Sequence, residues 1–180
     1  NMKDLAKLRP FFDKRNGTVT AGNSSQISDA AAAVVLMSES KAKELGLEPL
    51  GYLSNFAYAG LDPNRMGLGP VYATDKLFKK TGITMKDIEI IELNEAFAAQ
   101  VLANQTAFAS DAYAKEHLGL AKALGEIDET ILNVNGGGIA LGHPVGMTGT
   151  RIVLHTLKEL RRRNKNVGLA TLCIGGGQGA

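Results

Sequence analysis

Apolar residues fall in short blocks along this chain, and each block is closed by Gly, Pro, Asn or Ser. Residues 1–16 are polar and basic apart from Pro10 and two phenylalanines, and read as a connecting segment. Residues 17–28 open on a short strand signal and pass into a turn rich in Gly, Asn and Ser. Four alanines followed by Val34, Val35, Leu36 and Met37 predict a helix over residues 30–45, deeply buried in its first half. Ser28 or Asp29 would cap it and Gly46 would stop it. Residues 50–58 predict a strand, and a Gly/Pro-rich loop at 60–70 leads into a helix at 71–81 with Pro70 at its entry. A short apolar strand at 88–93 precedes a helix at 95–110, where Asn94 stands as N-cap. Residues 111–124 predict a second helix and 131–134 a strand. A glycine-rich loop at 135–149, a helix at 150–163 and an apolar strand at 167–174 complete the chain, which ends on Gly-Gly-Gly-Gln-Gly-Ala.

From residue 50 onward strands alternate with helices, which predicts an α/β layered domain with mixed sheet pairing. An α/β layer rarely stops within one glycine run after its last strand, so a final strand is expected to be missing. The 180 residues, 44% of them hydrophobic, suffice for one packed domain with part of another. A net charge of +2 does not point to a nucleic-acid binder, which needs a concentrated basic face. One cysteine cannot form an internal disulfide, and with three histidines it is too few for a usual zinc pattern. A reducing, cytoplasmic setting is the expectation. No apolar run is long enough for membrane insertion. Asn1 ahead of Met2 reads as a tag remnant or a cut through a longer chain.

Three polar positions stand where strands give way to loops, the places that host active sites in α/β folds: Asn94, His143 and Cys173. His143 lies in Gly-His-Pro-Val-Gly-Met-Thr-Gly, a stiff, tightly bent loop whose imidazole could take a proton or donate to an oxyanion. Cys173 precedes a run of glycines whose free N–H groups would stabilise a thiolate. Each has a plain structural reading too: a histidine satisfying its own loop, a small buried apolar residue, and for Asn94 an N-cap. Glu95 suits a helix dipole and needs no further role. The cluster Arg161, Arg162, Arg163 and Lys165 reads as dipole complementarity and solvation. Gly175, Gly177 and Ala180 also fit G-x-G-x-x-A after an apolar strand, which keeps a nicotinamide-binding oxidoreductase open as an alternative.

Taken together, Asn94-Glu95-Ala96-Phe97, Gly142-His143-Pro144 with Gly146 and Gly149, and Cys173 to Gly179 occur in the order found in the thiolase family. Gly17 to Ser25, and Met66-Gly67 with Gly69-Pro70, resemble two further motifs of that family. The resemblance covers nearly the whole chain from Gly17. It implies a thiolase-like layered domain with a central mixed five-stranded sheet and helices on both faces. Residues 1–16 would link to a missing loop domain, 17–46 would be the tail of the N-terminal domain, and 47–180 the C-terminal domain. The implied activity is cleavage of 3-ketoacyl-CoA by CoA, or condensation of two acyl-CoAs in reverse, as in fatty-acid metabolism and β-oxidation. By the same resemblance His143 would activate a nucleophilic cysteine and donate to one oxyanion hole, and Asn94 would hold the water completing it. Cys173 would be the acid/base, the N–H of Gly175 would serve a second oxyanion hole, and Ser25 and Met66 would lie against substrate. No metal and no separable cofactor are implied, coenzyme A being a substrate, and the protein would be a homo-oligomer, dimer or tetramer. The chain departs from the family in holding no second cysteine to carry the acyl group, and in reading Asp29-Ala30-Ala31 where Asp-Gly-Ala is usual. A non-catalytic thiolase-like fragment or subunit is therefore the first alternative.

Overall fold

The computed structural model describes residues 1–180. A short helix α1 (Met2–Leu5) opens the chain, and the next regular element is α2 (Glu39–Glu44), capped by the Ser38 side chain on the Lys41 N–H. The helix expected over 30–45 is thus reduced to its last turn and a half. Val35 is 84% exposed and Leu36 79%, so nothing buries the apolar face from which a helix in a protein draws most of its stability. The strand expected at 50–58 is likewise absent. Tyr52, Leu53, Phe56 and Tyr58 are exposed, and only β1 (Ala59–Gly60) finds a pairing partner.

From there the chain packs. A 3-10 turn, Pro63–Leu68, leads into α3 (Gly69–Thr81), then β2 (Ile90–Leu93) and α4 (Ala98–Phe108). The expected helix at 111–124 resolves into α5 (Asp111–Tyr113) running into one π-helical turn, Ala114–Leu118, which Gly119 ends. Next come α6 (Gly138–Leu141) and α7 (Val145–Arg163), so the helix placed at 150–163 starts five residues earlier, directly behind Pro144. The final apolar strand is broken at Leu172 into β3 (Gly168–Thr171) and β4 (Cys173–Ile174), and β5 (Gln178–Gly179) returns antiparallel on β4.

The strands form two small sheets instead of the single five-stranded one expected. β2 and β3 pair in parallel, Leu93 opposite Thr171, while β1, β5 and β4 make an antiparallel set. The expected strand at 131–134 contributes one bridge, Leu132 to Ile91, because Asn133 turns the backbone into the left-handed region (φ 45°). Its side chain then replaces the lost strand. Asn133 Oδ1 accepts from the Leu93 N–H (2.9 Å) and its Nδ2 donates to the Leu93 carbonyl (2.8 Å).

The β2–β3 pair is the centre of the molecule. Ile91 and Leu93 enter an apolar cluster with Val71 and Phe78 of α3 and Phe108 of α4, and α7 packs on both strands. The β1–β5–β4 set is seated on α3 by backbone. A Cβ on Gly69 would lie 2.4 Å from the Gln178 carbonyl oxygen, and one on Gly179 would lie 2.1 Å from that of Gly69. Only glycine allows this approach of α3 to β5.

Candidate active site

The carboxyl ends of β2 and β3 bring the chemistry-bearing residues to one edge. Asn94 follows β2 directly, and its N–H donates to the Thr171 carbonyl (3.0 Å), two residues before Cys173. Asn94 is 1% exposed and is not a helix cap: α4 begins at Ala98, and its first N–H is satisfied by the Asn23 carbonyl. The freed side chain faces the loop before α7, where Asn94 Nδ2 lies 3.3 Å from His143 Nε2. His143 Nδ1 lies 2.8 Å from Thr148 Oγ1, whose own hydroxyl donates to the Pro144 carbonyl (3.0 Å). That order of donors assigns the proton of a neutral imidazole to Nδ1 and leaves Nε2 as the acceptor, the form a general base needs. Burial first, and the Arg151 cation second, hold the imidazole below its ordinary pKa, which favours the neutral ring.

Glu95 does more than suit a helix dipole. Its Oε1 accepts from Asn133 Nδ2 (2.8 Å) and its Oε2 from the Ile139 N–H (3.2 Å), so it clamps the segment before the His143 loop to the end of β2. The clamp explains the glycines there. A Cβ on Gly138 would meet the Glu95 carbonyl oxygen at 2.8 Å and Asn94 Oδ1 at 3.1 Å. Sequence reasoning gave Glu95 no role beyond a helix dipole and passed over Asn133 and Thr148. The available signal was Gly136-Gly137-Gly138, three positions without side chains, which calls for a close neighbour.

Cys173 is half-buried at the start of β4. Burial pushes its thiol pKa up, against the smaller lowering effect of a backbone hydrogen bond, which favours the thiol over the thiolate. Gly175 stands exposed in the three-residue turn between β4 and β5, with open space around it. This turn closes an antiparallel hairpin onto β5, where a dinucleotide fold needs the N-terminus of a helix, so the strand–turn–helix is not formed and the oxidoreductase alternative falls. Ser25 donates its N–H to the Ala96 carbonyl (3.0 Å), which ties residues 23–25 to the loop after Asn94. Met66 is half-buried in the 3-10 turn that packs against β4 and β5. A cleft of 430 Å³ lies between residues 28–32 and the start of α7 at Pro144 to Met147. A larger one, 660 Å³, lies beside α4 at Gln105 and Glu126 to Glu129, and none of the residues above lines it. No group of three or more His, Cys, Asp or Glu could hold a metal, and no helix is long and apolar enough to cross a membrane.

A profile for the thiolase C-terminal domain matches residues 47–180, and one for the thiolase N-terminal domain matches residues 1–40. The chain belongs to the thiolase family. It is 54% identical over 180 residues to the 3-ketoacyl-CoA thiolase of Yersinia enterocolitica, covering 99% of this chain and 41% of that protein. Among solved structures it resembles the Bacillus anthracis acetyl-CoA acetyltransferase (TM-score 0.82, 45% identity, 99% of this chain and 41% of that one). It also resembles human mitochondrial 3-ketoacyl-CoA thiolase in complex with CoA (TM-score 0.80, 39% identity, again 99% and 41%). The fold is therefore thiolase-like α/β, and the chain corresponds to the C-terminal part of a thiolase, about two fifths of the length of the relatives it matches.

Proposed function

We propose that the protein this chain represents is a thiolase in activity as well as family. It would cleave 3-ketoacyl-CoA with CoA to give acetyl-CoA and a shortened acyl-CoA, or condense two acyl-CoAs in reverse. The observation that carries the reading is the Asn94–His143–Thr148 hydrogen-bonded series at the strand ends beside Cys173. Breaking the C2–C3 bond of a 3-ketoacyl thioester leaves an electron pair on C2, as an acetyl-CoA enolate that needs both a proton and oxyanion stabilisation. A protonated Cys173 thiol is suited to give that proton. The Gly175 N–H, exposed in its turn, is suited to the thioester oxygen. His143, neutral with an unprotonated Nε2, is the base toward the thiol that takes the acyl group at C3, and Asn94 completes the oxyanion site on its side. Ser25 and Met66 line the approach of substrate. The active form is a cytoplasmic homo-oligomer, dimer or tetramer, a reading supported by the exposed apolar side chains of residues 27–58.

Cys173 is the single cysteine of the 180 residues, and this favours a second reading for the isolated chain: by itself it does not turn over. Both readings are tested with a chimera in which this chain replaces the matching 41% of the Yersinia enterocolitica thiolase. The chimera is expected to release acetyl-CoA from acetoacetyl-CoA and CoA. His143→Ala or Cys173→Ser should lower kcat by at least about 100-fold, the usual weight of a general acid or base. The 180-residue chain assayed alone should give no product. A well-folded chimera without turnover would remove the enzymatic reading, and turnover by the chain alone would remove the second.

A further inference from the structure

The layer behind the site holds a charge that the reading above leaves unused. Along β2 successive side chains point to opposite faces. Ile91 and Leu93 enter the apolar cluster, so Ile90, Glu92 and Asn94 share the other face, on which α7 packs. Along α7, Thr148, Arg151, His155 and Glu159 recur three or four residues apart and so share one face. Asn94 and Thr148 hold His143 between them. Glu92 stands two residues behind Asn94 on the strand, and Arg151 one helical turn beyond Thr148. Both are buried, Glu92 to 1% exposure and Arg151 to 9%. Neither forms an ion pair at contact distance with the other. The three guanidinium nitrogens of Arg151 and Oε1 of Glu92 have no hydrogen-bond partner in the chain.

We propose that Arg151 is a positioning residue for His143: a buried cation, one turn behind Thr148, whose field keeps the imidazole in the neutral form that accepts a proton. In a buried layer of low dielectric a charge acts over several ångströms without contact. Arg151 therefore disfavours a second positive charge on His143, and on His155, where Lys158 adds to the effect. The groups facing His143 directly, Asn94 and Thr148, are neutral. Burial, with a smaller contribution from the carboxylates of Glu95 and Glu159, pushes the Glu92 pKa up to about 7 against the pull of Arg151. Around neutral pH Glu92 thus cancels the Arg151 charge only in part.

The inference rests on His143 being the site's base, and its test reads the imidazole directly. In the full 180-residue chain the His143 ring is followed by NMR through a pH titration, assigned by its loss in His143→Ala. Arg151→Met should move the His143 midpoint upward by about half a pH unit or more, the size expected of one nearby like charge in a partly buried site. His155 should move the same way. Arg151→Lys, which keeps the charge, should restore the His143 midpoint. Should Arg151→Met fail to melt cooperatively, the double variant Glu92→Gln/Arg151→Met, which buries no unpaired charge, gives the same readout. An unmoved His143 in a folded charge-free variant, or an equal displacement in Arg151→Lys, overturns the proposal. A chimera without turnover leaves this result standing, so the two failures are distinguishable.

Discussion

Two apolar stretches of this chain meet opposite fates. Ile90, Ile91 and Leu93 are at most 1% exposed, whereas Val34 to Met37, no less hydrophobic, range from 41% to 84% exposed. The difference lies in what surrounds them. β2 has β3 beside it, α3 and α4 on one face and α7 on the other. Residues 30–37 are exposed throughout, with only an open cleft between Ala30–Ala32 and the start of α7. Apolar composition creates a demand for burial, and only neighbouring elements meet it.

That contrast can be broken by substitution. Phe108 is fully buried in the β2 cluster, and Phe108→Ala should destabilise the chain by about 4 kcal/mol, read as a lowered urea midpoint. A change below about 1 kcal/mol would mean that the cluster is not the core. Charge should sharpen the same contrast. Glu159 of α7 is 2% exposed and bonds Arg162, Arg163 and Asn135. The Arg162 and Asn135 hydrogen bonds lower its pKa to about 2, from an ordinary 4.5. A lowered carboxylate stabilises the fold fully above its ordinary value and loses that contribution as pH falls toward the folded one. The stability gap between wild type and Glu159→Gln should therefore be widest near neutral pH and close as pH falls from 4.5 to about 2. Glu39→Gln, which removes an exposed ion pair with Lys43 on α2, should leave no comparable gap. The smallest effect belongs to the open region: Leu36→Ser should change the urea midpoint by no more than about 0.5 kcal/mol equivalent. A loss of 2 kcal/mol or more there would show that residues 30–37 are buried in solution, about what a buried leucine is worth.

The same contrast governs how much of the fold was legible in the sequence. The strand read at 88–93 and the helix read at 71–81 appear at Ile90–Leu93 and Gly69–Thr81, where local pattern and tertiary packing agree. The helix read at 30–45 and the strand read at 50–58 rest on local pattern, and fail where the apolar side chains stay exposed. At the site, the positions of Asn94 and His143 were legible from loop chemistry, and the structure brings their side chains within hydrogen-bond reach. Glu95, Asn133 and Thr148 were not, because their partners lie 44, 40 and 5 residues away and pattern along the chain does not report such pairings. The burial that raises the Cys173 pKa was not legible either, since free N–H groups can be guessed from glycines while burial cannot.

The backbone contact between Gly69 and Gly179 reaches beyond this molecule's stability. Two positions 110 residues apart occupy space that admits no side chain from either, so mutational drift at one cannot be absorbed by a change at the other unless the main chain is rebuilt. Any protein descended from this fold with its hairpin intact should carry glycine at both places, and a lineage that loses one should show α3 or the Cys173 hairpin displaced. The pair is a marker of descent that can be read from sequence alone.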